Sequence, residues 1–293
     1  MVLYVNGCSH SEGHCQTDTR KTYSHIVACS LFGKNNFHVL TNNKTETSKP
    51  DMFSNFNQVL CEPKKSPKEN YLIFQAYLGK SNDRIFFESV NFLYECLKYD
   101  IKIDFSIVQW SGPNRTIKTE PIEGNHCNII DVNPHNSEIY NLKFEPFASI
   151  QTIQYMLILQ ELYEKHNINY CFIPYMELEK ESSIQNFMYH RLNFKKFTVN
   201  PTEGYRNYFR KKGWVCDSQG HPSDYANYFM SMEALKILGY EDSIIGLYDY
   251  YDTYNINNYQ NHTDELEPDF VKNNFNKLGD ATLSIIEKIK KFY

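Results

Sequence analysis

The stretch Val5-Asn6-Gly7-Cys8-Ser9-His10-Ser11-Glu12-Gly13-His14 crowds hydroxyl, thiol, imidazole and carboxyl groups into one short segment. The apolar run Val2-Leu3-Tyr4-Val5 precedes it and stops at Asn6-Gly7, a strong turn signal. A hydroxyl held in such a turn becomes a nucleophile when a base takes its proton and donors meet the oxyanion that develops. Ser9 is the hydroxyl placed that way. Its prospective partners lie far along the chain. Gly79 offers an unshielded backbone N–H, and Asn114 in Ser-Gly-Pro-Asn-Arg offers a side-chain amide. His221 in CDSQGHPS offers an imidazole, with Asp217 four residues earlier to orient it. The chemistry of such a set is acyl transfer. Each residue also has a plain reading: Ser9 as a turn cap, His221 as a histidine before a helix-initiating proline, Gly79 and Asn114 as turn formers. Cys8, His10, His14 and Cys15 are a rival metal set, but they lack standard zinc spacing. Cys8 as a thiol nucleophile is a further alternative, with packing its plainer role.

Residues so far apart must be brought together by regular elements. Residues 2–5, 37–40, 71–77, 103–110 and 169–174 read as strands, the fourth apolar on both faces as a buried parallel strand is. Residues 84–99 carry Ile85, Val90, Leu93, Tyr94 and Leu97 at helical spacing, with Ser81, Asn82 or Asp83 to cap the start. Residues 149–165 and 223–238 read as helices. The polar, Lys/Pro/Ser-rich stretch 41–70 and the Pro-, Gly- and Asn-containing stretch 111–147 read as loop. Alternating strands and helices predict an α/β fold: a central parallel sheet of about five strands with helices on both faces. Ligands in such sheets sit at the carboxyl ends of strands. The loops 6–14, 78–83 and 111–115 all follow strands, so they are expected to converge on one edge.

The four motif-bearing segments resemble the SGNH (GDSL-type) hydrolase family. Gly7-Cys8-Ser9 stands where the family has its serine block, usually Gly-Asp-Ser. Gly79 in LGKSNDRI matches the glycine block, and Gly112-Pro113-Asn114 matches the Gly-x-Asn block. Asp217-Ser218-Gln219-Gly220-His221-Pro222 matches the final Asp-x-x-His block. The order is the family's, and the resemblance spans roughly residues 1–240. Gly-Cys-Ser-His and Ser-Asn-Asp-Arg-Ile are most similar to its phage-encoded branch. The resemblance implies a flavodoxin-like three-layer fold and a serine esterase. In that reading Ser9 attacks, His221 is the base and Asp217 orients it. The N–H groups of Ser9 and Gly79 and the Asn114 amide form the oxyanion hole. It implies no metal and no cofactor, and a short acyl group, commonly O-acetyl on a carbohydrate, as the substrate. His10, Arg84 and Arg115 flank the blocks as candidate substrate contacts; salt links are the alternative for the two arginines. Two features depart from the pattern. Cys8 replaces the usual acid of the serine block, and Asp217 stands four residues before His221 rather than three. They leave open a Ser–His dyad, and also a non-catalytic module serving as a phage virion or tail component or as a glycan binder.

A net charge of −5 with signs interspersed argues against a nucleic-acid partner, and Lys64-Lys65 and Arg210-Lys211-Lys212 read as solvated surface. No signal peptide and no bilayer-spanning run are read in the sequence. Eight scattered cysteines without a Cys-x-x-Cys pair suit free thiols in a reducing compartment, such as the cytoplasm or a virion assembled there. Residues 241–293 read as a Tyr-rich extension that ends in an amphipathic helix near 280–292. Its tyrosines suit sugar stacking or a protein interface, virion partners included.

Overall fold

The computed structural model describes residues 1–8, 11, 22–33, 36–41, 70–76, 80–113, 115–122, 126–132, 145–178, 183–216 and 220–243. The segment 244–293, with the expected terminal helix, lies outside them. Seven strands are described: β1 (Val2–Asn6), β2 (His38–Thr41), β3 (Tyr71–Phe74), β4 (Phe105–Trp110), β5 (Thr116–Ile122), β6 (His126–Val132) and β7 (Asn169–Pro174). Five of them form one parallel sheet in the order β2-β3-β1-β4-β7. A single parallel bridge joins Phe172 of β7 to Phe197, and the Thr198 N–H donates to the Phe172 carbonyl at 3.1 Å. Leaving β2 aside, the strands β1, β3, β4, β7 and the stub at Phe197 lie in the order second-first-third-fourth-fifth. That is the flavodoxin order, and β2 is an added strand outside β3.

The helices are α1 (Tyr23–Phe32), α2 (Asn82–Lys98), α3 (Glu145–Lys165), α4 (Ser183–Tyr189), α5 (Tyr205–Lys212) and α6 (Asp224–Leu238). Side chains alternate across a strand, so an internal strand needs apolar residues at every position. All six residues of β4 and all five of β1 are buried. Tyr4, Ile73, Val108 and Phe172 face one core with Phe92 and Leu93 of α2 and Met156, Leu159 and Tyr163 of α3. Leu3, Val5, Leu72, Ile107 and Ile173 face the other, with Val27 of α1, Phe209 of α5 and Met230 and Leu235 of α6. The result is three layers. Each fully buried aliphatic or aromatic side chain contributes about 1.5–3 kcal/mol of transfer free energy. Ser81 caps α2, its Oγ accepting from the Arg84 N–H at 3.3 Å, and Ser223 caps α6 from Ala226 in the same way.

Several sequence expectations need correction. Residues 111–147 are not all loop: β5 and β6 pair antiparallel from Thr116↔Val132 to Ile122↔His126. Proline is tolerated there because both strands of a two-stranded ribbon are edges. The third strand ends at Phe74 rather than at residue 77, α2 begins at Asn82 and α3 at Glu145. No helix is expected from the sequence over the segments now seen as α1, α4 and α5. α1 is buried at Tyr23, Ser24, Ile26, Val27, Ala28 and Phe32, most of its circumference, which erases an amphipathic stripe.

Candidate active site

β3, β1 and β4 are neighbours in a parallel sheet, so the segments that follow them leave from the same edge. The crossovers run to opposite sides of β1, which makes the gap between β1 and β4 the switch point where ligands bind in such sheets. The turn after β1 is closed by the Ser11 N–H, which donates to the Cys8 carbonyl at 2.9 Å. Ser11 is fully buried. Its Oγ donates to Gln109 Oε1 at the end of β4 and sits 2.7 Å from Tyr23 Oη. The one Ser11 hydroxyl proton goes to Gln109, so Tyr23 donates to Ser11, and burial pushes the Tyr23 phenol far above its ordinary range. This folding-back explains Gly7. A Cβ there would overlap Ser11 Oγ and stand 2.9 Å from Ser11 Cβ and 3.0 Å from Gln109 Cβ.

Buried polar contacts tie the three loops together. Lys80, fully buried, donates from Nζ to the Asn6 side-chain carbonyl and, at 2.6 Å, to the Gln75 backbone carbonyl. The same ammonium faces Glu88 Oε2 of α2 as an ion pair. Asn6 Nδ2 lies 2.9 Å from each of Tyr4 Oη, Ser89 Oγ and the Ile85 carbonyl. Asn82 bridges to the loop after β4: its Oδ1 accepts from the Ser111 N–H at 2.7 Å and its Nδ2 donates to the Ser111 carbonyl at 3.0 Å. Three segments that diverge in sequence are thereby fixed to one another by buried polar groups.

His221 reaches the same edge from the other side of the sheet. The Cys216 N–H donates to the His221 carbonyl at 2.9 Å, the Ser223 N–H donates to the Trp214 carbonyl at 3.0 Å, and Val215 bridges Pro222 antiparallel. Gly220 turns this narrow hairpin with φ 88°, a conformation that other residues adopt only with strain. Its carbonyl accepts a hydrogen bond from Tyr175 Oη, just past the end of β7. Arg206 and Arg210 of α5 pack against Gly220, as a Cβ there would lie 3.2 Å from Arg206 Cγ and 3.0 Å from Arg210 Nε. Burial and the neighbouring Arg210 charge lower the Arg206 pKa. His221 itself is 2% exposed. Tyr175→Phe leaves the Gly220 carbonyl without this donor, so we expect a stability loss of about 1–2 kcal/mol in denaturant unfolding. Unchanged unfolding would show that Tyr175 does not hold the hairpin.

Ser9, His10, Gly79, Asn114 and Asp217 lie outside the described residues. Their immediate neighbours Cys8, Lys80, Pro113, Arg115 and Cys216 are the anchors just given or adjoin them. Arg84 Nε donates to Glu88 Oε1 at 2.9 Å, a salt link one turn along α2. Arg115 Nη1 donates to Ser111 Oγ at 3.0 Å. Of the rival metal set only Cys8 is described, a buried free thiol. Among the described residues no group of three His, Cys, Asp or Glu is placed to hold a metal, and no helix is long and apolar enough to cross a membrane.

No protein-family profile matches the chain, and no curated protein matches it. Solved structures do. An α/β hydrolase from the metagenome of Lake Arreo, Spain, aligns over 82% of this chain and 95% of its own at 10% identity, with a TM-score of 0.41. A lipolytic protein of the G-D-S-L family from Veillonella parvula aligns over 80% and 97% at 9% identity, with a TM-score of 0.39. A variant of an acetyl xylan esterase from Geobacillus stearothermophilus aligns over 82% and 95% at 10% identity, with a TM-score of 0.38.

Sequence reasoning missed Lys80, Asn82, Ser11, Gln109 and Tyr175 as the residues that fix the loops. The signal for Lys80 was faint: a lysine between Gly79 and the cap Ser81, where a helix N-terminus disfavours positive charge.

Proposed function

We propose that the chain is a serine esterase of SGNH type that removes short acyl groups, O-acetyl above all, from a carbohydrate. One observation carries the reading. The strands preceding the serine, glycine and asparagine blocks are neighbours with a common carboxyl edge, and the hairpin that ends in His221 is tied to that edge through Tyr175. The acetyl group and the sugar are taken from the family resemblance.

The proposed reaction runs as follows. His221 accepts the Ser9 proton as Ser9 Oγ bonds to the ester carbonyl carbon. The carbonyl π-pair moves onto oxygen, where the N–H groups of Ser9 and Gly79 and the Asn114 amide receive it. Collapse of this intermediate breaks the bond to the alcohol, which leaves with the proton from His221. Water, deprotonated by His221, then attacks the acyl-Ser9 carbonyl, and Ser9 leaves as the hydroxyl with the acid released. Asp217 orients the imidazole in this scheme. The positive φ of Gly220 and the hydrogen bond from the Cys216 N–H to the His221 carbonyl support this reading of the four-residue spacing.

A fluorophosphonate probe tests the reading directly, because it reacts with an activated serine and not with a turn serine. We expect stoichiometric labelling of Ser9 on the native chain, mapped by peptide mass spectrometry, and none after Ser9→Ala. Labelling absent from the native chain, together with no hydrolysis of model esters or acetylated glycans, would leave the non-catalytic module as the better account.

A further inference from the structure

Lys80 is the feature least explained by folding alone. A lysine with 0% exposure carries a large desolvation penalty, and an apolar side chain of similar volume is often as stable or more so at such a position. The ammonium is held by groups from three elements: Asn6 at the end of β1, Gln75 just past β3 and Glu88 of α2. The bond to the Gln75 carbonyl closes the connection between β3 and α2 at its base, residue 75 to residue 80. The bond to Asn6 fixes that base to the strand that leads into the Ser9 turn.

We infer that Lys80 is a positioning residue: its buried ammonium fixes the base of the β3–α2 connection, at Gln75 and Lys80, against Asn6 at the end of β1, in the service of the oxyanion donor proposed at Gly79. The geometry suits such a clamp. An ammonium donates in several directions from one point, and here it donates to a side-chain amide and a main-chain carbonyl and pairs with a carboxylate. Asn6 is oriented in turn by Tyr4, whose Oη donates to Gln75 Oε1 at 2.5 Å. Burial keeps the Tyr4 phenol well above its ordinary pKa, so that bond retains its proton. Glu88 pairs with the ammonium as well as with Arg84, and the role inferred for Lys80 is one of placement. An oxyanion donor acts only when its N–H is aimed to within about 0.5 Å, and the residue before Lys80 is Gly79. The kinetic half of this inference rests on the esterase reading; the conformational half does not.

The test uses the full chain with Lys80→Met and Glu88→Gln, read by amide hydrogen exchange, thermal unfolding and ester hydrolysis. In Lys80→Met the peptide covering residues 75–81 should exchange at least about 10-fold faster, because a local opening is made easier, with peptides from β7 and α6 unchanged. On p-nitrophenyl acetate, kcat should fall about 10- to 100-fold with KM little changed, less than the about 10²–10³-fold lost with an entire oxyanion donor. Glu88→Gln should shift exchange and kcat in the same direction by a smaller factor. Exchange in 75–81 within twofold of the native chain, or full kcat in folded Lys80→Met, would overturn the inference. If Lys80→Met does not fold, Glu88→Gln decides: accelerated exchange confined to 75–81 supports the clamp, and unchanged exchange removes it. A native chain that neither hydrolyses esters nor labels at Ser9 sinks the esterase reading, while the exchange result still judges Lys80.

Discussion

Ester turnover is expected to fall by roughly 10³–10⁶ in Ser9→Ala and by a similar factor in His221→Ala, with little further loss in the double variant. Residues that act as one unit are non-additive in this way: without the base the hydroxyl stays protonated, and without the hydroxyl the base has nothing to activate. Far-ultraviolet circular dichroism checks that the variants are folded, which matters for a histidine as buried as His221. Its backbone carbonyl, not its imidazole, accepts from Cys216, so that hydrogen bond survives the substitution. Asp217→Asn separates two arrangements. In a triad, turnover drops by about 10⁴ because the wrong imidazole tautomer dominates; in a Ser–His dyad it stays near the native value. Additive losses at Ser9 and His221, or turnover above a tenth of native in either, would be inconsistent with the proposed chemistry.

Gly7→Ala should both destabilise the chain and abolish activity, although it adds one methyl group. The new Cβ would occupy the space held by Ser11, itself fixed between Tyr23 and Gln109. None of the three can retreat, because Ser11 and Gln109 are fully buried and Tyr23 lies in the packed second core. Overpacking of this kind costs about 1–3 kcal/mol, equivalent to a fall in Tm of roughly 2–12 °C at the 2–4 °C per kcal/mol usual for a chain of this size. The activity loss should exceed what stability explains, since relief of the clash must shift the turn that precedes and follows Ser9. Thermal unfolding and turnover measured together test this. An alanine variant with native Tm and native turnover would mean that Ser11 does not sit over Gly7.

The parts of the fold visible in the sequence were those whose pattern is local. β4 stood out because Phe105, Ile107, Val108 and Trp110 fill both faces of an internal strand, and α6 because Ser223 caps a segment that begins just after Pro222. The hairpin of β5 and β6 was hidden behind Pro121, Gly124 and Asn125, which signal loop whether or not they sit within or between short strands. For the site, the common edge of the loops followed from strand alternation alone. The contacts that fix those loops did not, because they are long-range. Lys80 meets Asn6 across 74 residues of sequence, and Ser11 meets Gln109 across 98. Asn82 read as one of three possible caps, whereas Ser81 is the cap and Asn82 holds Ser111. Among polar residues near a helix start, composition does not tell which side chain turns inward.

The place of β1 in the middle of the sheet also governs how the chain emerges from a ribosome. Its flanks are anchored by Met1 to Asn70, 69 residues later, and by Val2 to Asp104, 102 residues later. At synthesis rates of about 5–20 residues per second, the second neighbour follows the first strand by roughly 5–20 s. Throughout that interval Val2-Leu3-Tyr4-Val5, apolar on both faces, has no completed sheet to enter. The nascent chain therefore passes through a stage in which a strand that ends fully buried is still uncovered, and efficient production should depend on what covers that strand during translation.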